Sequence, residues 1–169
     1  MTSPTAFVCP CCGKQVNELP ACTFKSPEYY FQIPENERPD NTWLTSDFCV
    51  VGDFRYIRTN LHVPIRGSDI PFVWGIWSSL SIENFNRYEA QFNQSEQSML
   101  GAMFSWLSSA LIGYPSTIGI PTRIVPQDGR LRPLVYVDED HDHPLVVDIA
   151  TGISPERAIE LAMPFLPKH

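Results

Sequence analysis

The run Phe72-Val-Trp-Gly-Ile-Trp-Ser-Ser-Leu80 and the residues that follow it constrain this chain more than any other stretch. Phe72, Val73, Trp74, Ile76 and Trp77 are branched or aromatic residues that suit a pleated, buried surface, so 72–80 reads as a strand. At Ser81 the period changes. Ile82, Phe85, Tyr88 and Phe92 recur at helical spacing with Glu83, Asn84, Arg87 and Glu89 between them, which predicts an amphipathic helix over 82–93. Ser81 suits its N-cap, because the hydroxyl can accept from an orphan amide of the first turn. A strand that feeds a helix lying back across its own sheet implies a layered domain.

The rest of the chain extends that unit. Thr42 to Val51 and Arg55 to Ile65 are bounded by Gly, Pro or Asp and read as strands of an antiparallel meander. Between them, Val51-Gly-Asp-Phe54 predicts a hairpin turn in which Gly52 takes positive φ. Met99 to Leu107, Thr117 to Val125 and Leu131 to Val137 read as three further strands, with turns at 113–116 and 126–130. Pro27 and Pro34 each open a short helical turn. The last helix starts at Ser154 as cap with Pro155 in the first position, turns Ala158, Ile159, Leu161 and Ala162 inward, and stops at Pro164. The order β-β-β-α-β-β-β-α predicts an α+β fold: a largely antiparallel sheet of about six strands, two main helices on one face, and a turn-rich N-terminus containing cysteines. No linker divides the chain, so residues 1–169 are expected to form a single domain, with 7–26 a knuckle-like segment packed on it. With 43% hydrophobic residues, 169 residues can bury roughly 70% of the unfolded surface.

Charge narrows the partners. A net charge of −7 argues against nucleic-acid binding through the phosphate backbone. No segment approaches the apolar length of a membrane span. The start, Met1-Thr-Ser-Pro-Thr-Ala-Phe-Val8, lacks the positive residues and apolar run of a signal peptide, so a cytoplasmic protein is expected. In that compartment the five cysteines are free thiols or metal ligands rather than disulfides.

Cys9-Pro-Cys-Cys-Gly13 contains a C-x-x-C pair, Cys9 and Cys12, whose spacing lets two thiolates bind one zinc ion from a tight turn, with Gly13 permitting close backbone approach. A structural zinc site needs four ligands, so the pair is half a site, and Cys22 and Cys49 are the candidates for the other half. Cys11 is a spare thiol. The competing readings are inert thiols and redox chemistry. A thioredoxin-like pair would open a helix after a strand, which this one does not. Alternation in Ser46-Asp-Phe-Cys-Val-Val51 places Cys49 on the face of Asp47 and Val51, opposite Phe48 and Val50.

Asp138-Glu-Asp-His-Asp-His143 offers a second metal candidate, in which His141, His143 and Asp138 supply nitrogen and oxygen ligands to a divalent ion. The plainer reading is a solvated acidic loop after a strand. His62 reads as a strand residue. The serines lack a G-x-S-x-G elbow, no cysteine pairs recognisably with a histidine, and neither a P-loop nor a dinucleotide fingerprint is present. No enzyme emerges from these residues.

Several stretches taken together carry a family likeness: Cys9-x-x-Cys12-Gly13, Leu19-Pro20, Leu44-x-Ser46-Asp47-x-Cys49, Ile57-Arg58, the Phe72–Ser81 run with Asn84-Phe85, Trp106-Leu107, Tyr114-Pro115-x-Thr117, Arg132-Pro133, and His143-Pro144-Leu145 with Gly152-Ile153. In this order, over nearly its whole length, the chain resembles the bacterial domain-of-unknown-function family 2199. The resemblance implies one compact domain and brings no activity or substrate with it. It also implies a zinc site of three cysteines and one histidine: the C-x-x-C pair, the cysteine at the Asp-x-Cys position (Cys49), and a histidine four residues after the pair. That last position is Val16, which cannot bind metal, so either Cys22 or Cys11 replaces it or the ion has been lost. Of the two loop histidines only His143 falls in the shared pattern, which implies a positional role: a ring at a strand end whose N–H ties down the following turn.

The resulting expectation is a non-enzymatic, cytoplasmic, protein-binding α+β domain, immunity- or antitoxin-like, with structural zinc as its cofactor. An acidic domain of this size suits a basic protein partner. The alternative is a metal-dependent hydrolase using the Asp138–His143 loop.

Overall fold

The computed structural model describes residues 4–167. Two long strands form its spine. β6 (Phe54–Val63) and β7 (Phe72–Leu80) pair antiparallel from Val63↔Phe72 to Arg55↔Leu80. β5 (Phe48–Val51) joins the near end of β6 through a two-residue loop in which Gly52 takes φ +60°, as the hairpin demands, and β4 (Trp43–Leu44) pairs with β5. On the other side of β7 lies β3 (Cys22–Thr23), and beyond the far part of β6 come β10 (Leu134–Val137), β9 (Pro121–Val125) and β8 (Met103–Trp106). A separate two-stranded hairpin, β1 (Phe7–Val8) with β2 (Gln15–Val16), opens the chain.

The main sheet has eight strands rather than about six, and it is mixed: β3 with β7 and β10 with β6 run parallel, while its other pairings are antiparallel. It also curls. Immediately after β8, Leu107 bridges Ser78 and the Ser108 amide donates to the Trp77 carbonyl at 2.9 Å, so the far edge returns to β7. Leu61, Ile76, Met103, Leu107, Ile124 and Val135 fill the concave side. Four buried hydroxyl residues share that lining, and they are satisfied locally: Thr59 and Ser78 hydroxyls meet at 2.8 Å, and Thr122 donates to the Ser105 carbonyl at 3.1 Å.

The helices close the concave side. In α2 (Ile82–Gln91), Ser81 accepts from the Asn84 amide and Phe85 and Tyr88 turn inward, as the 3.6-residue period requires. In α4 (Pro155–Ala162), capped by Ser154, Ala158, Leu161 and Ala162 do the same. Between them stands α3 (Pro144–Thr151), a third main helix on this face, which seals the core with Leu145 and Val146. The sequence reading left that segment unassigned because its cap is the His143 ring rather than a Ser, Thr, Asp or Asn. α1 (Glu28–Gln32) lies on the opposite, convex face, where Tyr30 and Ile33 cover a smaller cluster of Cys49, Val51, Tyr56 and Trp77. A short turn at Glu35–Glu37 follows it.

Several expected strands shrink. Ser98–Leu100 is a 3-10 turn ended by Gly101 at φ +72°, so β8 begins only at Met103. Thr117 belongs to a packed loop: its buried hydroxyl donates to the Ser109 carbonyl at 2.6 Å and accepts from the Leu111 amide at 3.0 Å.

Candidate metal centre

The hairpin β1–β2 is held by Phe7↔Val16 and Val8↔Gln15, and its loop closes through the Cys9 amide to the Lys14 carbonyl at 2.9 Å and the Gly13 amide to the Cys9 carbonyl at 2.8 Å. Gly13 adopts φ +70°, and a Cβ there would meet nothing within 4 Å. Its contribution is therefore the left-handed backbone and not the close approach the sequence suggested. This tight loop turns Cys9, Cys11 and Cys12 to one side, with all three sulfurs within 4.8 Å of one another. Zinc–sulfur bonds of about 2.3 Å in tetrahedral array separate sulfurs by roughly 3.8 Å, so the cluster needs only small side-chain adjustments to surround an ion.

Cys9 is buried, while Cys11 and Cys12 are exposed. The Cys9 and Cys11 sulfurs lie 2.9 Å apart. Donation from Cys11, together with the backbone amides of Cys11 and Cys12, holds the Cys9 thiol down to about 7. The same shared proton, with desolvation behind it, pushes Cys11 up to about 11. One sulfur of the cluster is thus readily ionised at neutral pH, and a thiolate is what a soft metal binds.

The other two cysteines do not join this group. Cys22 stands on β3 opposite Trp74 of β7, and Cys49 stands on β5 opposite Tyr56 of β6, itself opposite Ser79 of β7. Three strand spacings across the sheet and five residues along it put the two thiols on the order of 20 Å apart. They also face opposite ways, Cys22 into the main core and Cys49 into the convex-side cluster. Burial pushes each thiol up to about 12. The set Cys9, Cys12, Cys22 and Cys49 therefore cannot close on one ion. Cys11, read as spare, is the third member instead; the signal was the tightness of the Cys-Cys-Gly turn, which brings positions i, i+2 and i+3 to one side. Val16 is an apolar strand residue paired with Phe7 and supplies no ligand.

The acidic loop does not assemble a metal site either. The His143 ring accepts the Leu145 amide at Nδ1 (3.0 Å), and its Nε2 lies 3.1 and 3.0 Å from the Pro115 and Ser116 carbonyls, to which a protonated Nε2 donates. Both nitrogens are committed: the ring caps α3 as an acceptor, and its other nitrogen ties down the earlier turn at 115–116 rather than the following turn that the resemblance implied. Asp138 accepts the Asp140 amide at 3.0 Å within its own turn. Among the described residues, Cys9, Cys11 and Cys12 form the one group of three or more potential ligand atoms close enough to share an ion, and His141, His143 and Asp138 are outside it.

Comparison with known proteins places these residues in context. The family described as an uncharacterized protein conserved in bacteria, DUF2199, matches residues 8–153, from within β1 of the thiol hairpin to just past α3. No curated protein and no solved structure matches the chain.

Proposed function

From the premise that this chain belongs to the bacterial DUF2199 family, we propose that it is a non-catalytic binding domain whose N-terminal hairpin is a metal knuckle held by Cys9, Cys11 and Cys12. The observation that carries the reading is the convergence of three sulfurs at the tip of a short hairpin. A two-stranded hairpin of two-residue strands has almost no core of its own, and a soft divalent ion supplies the missing cross-link. Zinc fits a thiolate donor set; three protein sulfurs leave its fourth position to water or an exogenous group, one protein ligand short of a closed structural site. The acidic balance favours a basic protein partner for the domain. The hydrolase alternative draws no support from the loop it would use, because His143 has both ring nitrogens engaged in structure.

Metal analysis of the purified protein tests the reading. About one zinc per chain is expected, lost with Cys9→Ser or Cys11→Ser and retained with Cys22→Ser and His141→Ala. Zinc that survives Cys9→Ser but leaves with His141→Ala would restore the hydrolase.

A further inference from the structure

The three sulfurs at the hairpin tip are close enough to bond to one another as well as to an ion. All lie within 4.8 Å of one another, and side-chain rotation closes the gap to a disulfide of about 2.05 Å. The Gly13 amide donates to the Cys9 carbonyl at 2.8 Å, which folds residues 9–13 into one turn and holds the ends of the C-x-x-C pair together.

Access separates the three. Cys11 and Cys12 are exposed, whereas Cys9 is only 5% exposed, so an oxidant from solvent meets the first two before Cys9. Cys11 is the nearest sulfur to Cys9, at 2.9 Å. A bond between them would close a small ring around Pro10 alone, whose fixed φ leaves that ring little freedom. Cys11 and Cys12 are adjacent, and bonding them would twist the intervening peptide from planarity. Cys9 and Cys12, with two residues between them, close the ring of least strain. An ion held by three sulfurs leaves its fourth position open, so a bound metal does not shut these thiols away from solvent.

We propose that Cys9 and Cys12 are a redox-active dithiol whose oxidant is an uncharged hydroperoxide, and that formation of their disulfide expels the metal. With hydrogen peroxide, the Cys12 thiolate forms an S–O bond as the O–O bond breaks, and hydroxide leaves to become water. The Cys9 sulfur then attacks the Cys12 sulfur: the S–S bond forms, the S–O bond breaks, and the hydroxyl departs with a proton as a second water. The two thiols lose two electrons and the peroxide gains them. On a chain of net charge −7, a neutral oxidant meets no electrostatic repulsion. A disulfide sulfur is no longer a thiolate ligand, so the ion keeps Cys11 alone and leaves. The change is stoichiometric, in keeping with a non-catalytic domain. Metal release rests on the metal-knuckle reading above; the bridge itself does not.

Equimolar hydrogen peroxide added to the zinc-loaded full chain, followed by a chromogenic zinc chelator and peptide mapping of disulfides, tests the proposal. About one zinc should be released per bridge formed, and a dithiol reductant should undo the bridge. The metal-free chain should form the same Cys9–Cys12 bridge, so the dithiol is decided there even if the purified protein holds no zinc. Cys12→Ser should slow bridge formation at least about tenfold, whereas Cys11→Ser should lose zinc and keep the bridge. Cys22 and Cys49, buried on opposite faces of the sheet, should stay reduced while the chain is folded. Sulfinic acid without a bridge, a bridge from Cys9 to Cys11, or bridges only between chains would each overturn the proposal. Faster oxidation by anionic glutathione disulfide than by peroxide at equal concentration would overturn the choice of oxidant.

Discussion

Replacing His143 with alanine removes two ties at once, the cap on the Leu145 amide and the bond to the 115–116 carbonyls. A lost cap costs typically about 1 kcal/mol, and the second tie adds a similar amount, so His143→Ala is expected to lower stability by about 2 kcal/mol in chemical denaturation. His141→Ala, with no comparable role, should stay close to the parent. The thiol cluster makes a different residue-scale prediction. With Cys11 raised to about 11, its proton is still in place at pH 7.5, so zinc binding must expel it. Calorimetry in buffers of differing ionisation enthalpy should show at least one proton released per ion, and affinity should fall further as pH drops below about 7, where Cys9 itself begins to take up a proton. Pattern reading found Cys9 and Cys12 because their spacing is a local property of the chain. It set Cys11 aside because the direction a side chain takes from a turn depends on the turn's dihedrals.

Among the elements, β7 carries the most specific packing demand. Gly75 lies mid-strand opposite Thr23 of β3, and a Cβ at 75 would stand 2.7 Å from the Thr23 Cγ2. That contact lets β3 lie flush against β7, and the Phe24 amide then donates to the Gly75 carbonyl at 3.0 Å while the Phe24 carbonyl accepts the Trp77 indole at 2.9 Å. Gly75→Ala should therefore destabilise by about 1–3 kcal/mol, and Thr23→Ser, which removes the clashing methyl, should recover much of the loss in the double variant. Full additivity of the two changes would mean that the clash is relieved elsewhere. At this scale the two amphipathic helices at 82–91 and 155–162 were readable because period and cap agree. Helix α3 was not, since Leu-Val-Val after a proline carries no helical period and its cap is an imidazole positioned by a turn nearly thirty residues earlier in the chain.

For the molecule as a whole, the placement of the five thiols is a direct check on the fold. Cys22 and Cys49 are buried on opposite faces of the sheet, with thiols raised to about 12, whereas Cys11 and Cys12 are exposed. In the native, metal-free protein a thiol reagent at pH 8 should label Cys11 and Cys12 promptly and reach Cys22 and Cys49 only on unfolding. Prompt labelling of Cys49 would mean that α1 does not cover the convex face. His62 adds a pH dependence. Burial lowers its pKa below 6.5, so the unfolded chain binds the proton more readily than the folded one. Its contribution to stability is intact above 6.5 and declines as pH falls through that value, and His62→Gln should flatten the slope of the melting temperature against pH there.

Alternation and helical period alone determined which residues face inward along 48–51, 54–63 and 72–80, including the opposed faces of Cys49 and Phe48, because those periods are imposed by the backbone of each strand or helix. Tertiary structure alone decided that the sheet curls back onto β7, that Cys22 and Cys49 stand far apart, and that Arg58 lies near Arg132 and Asp47. Those facts depend on strand order and register between segments distant in the chain, and a one-dimensional pattern does not encode which strand lies next to which.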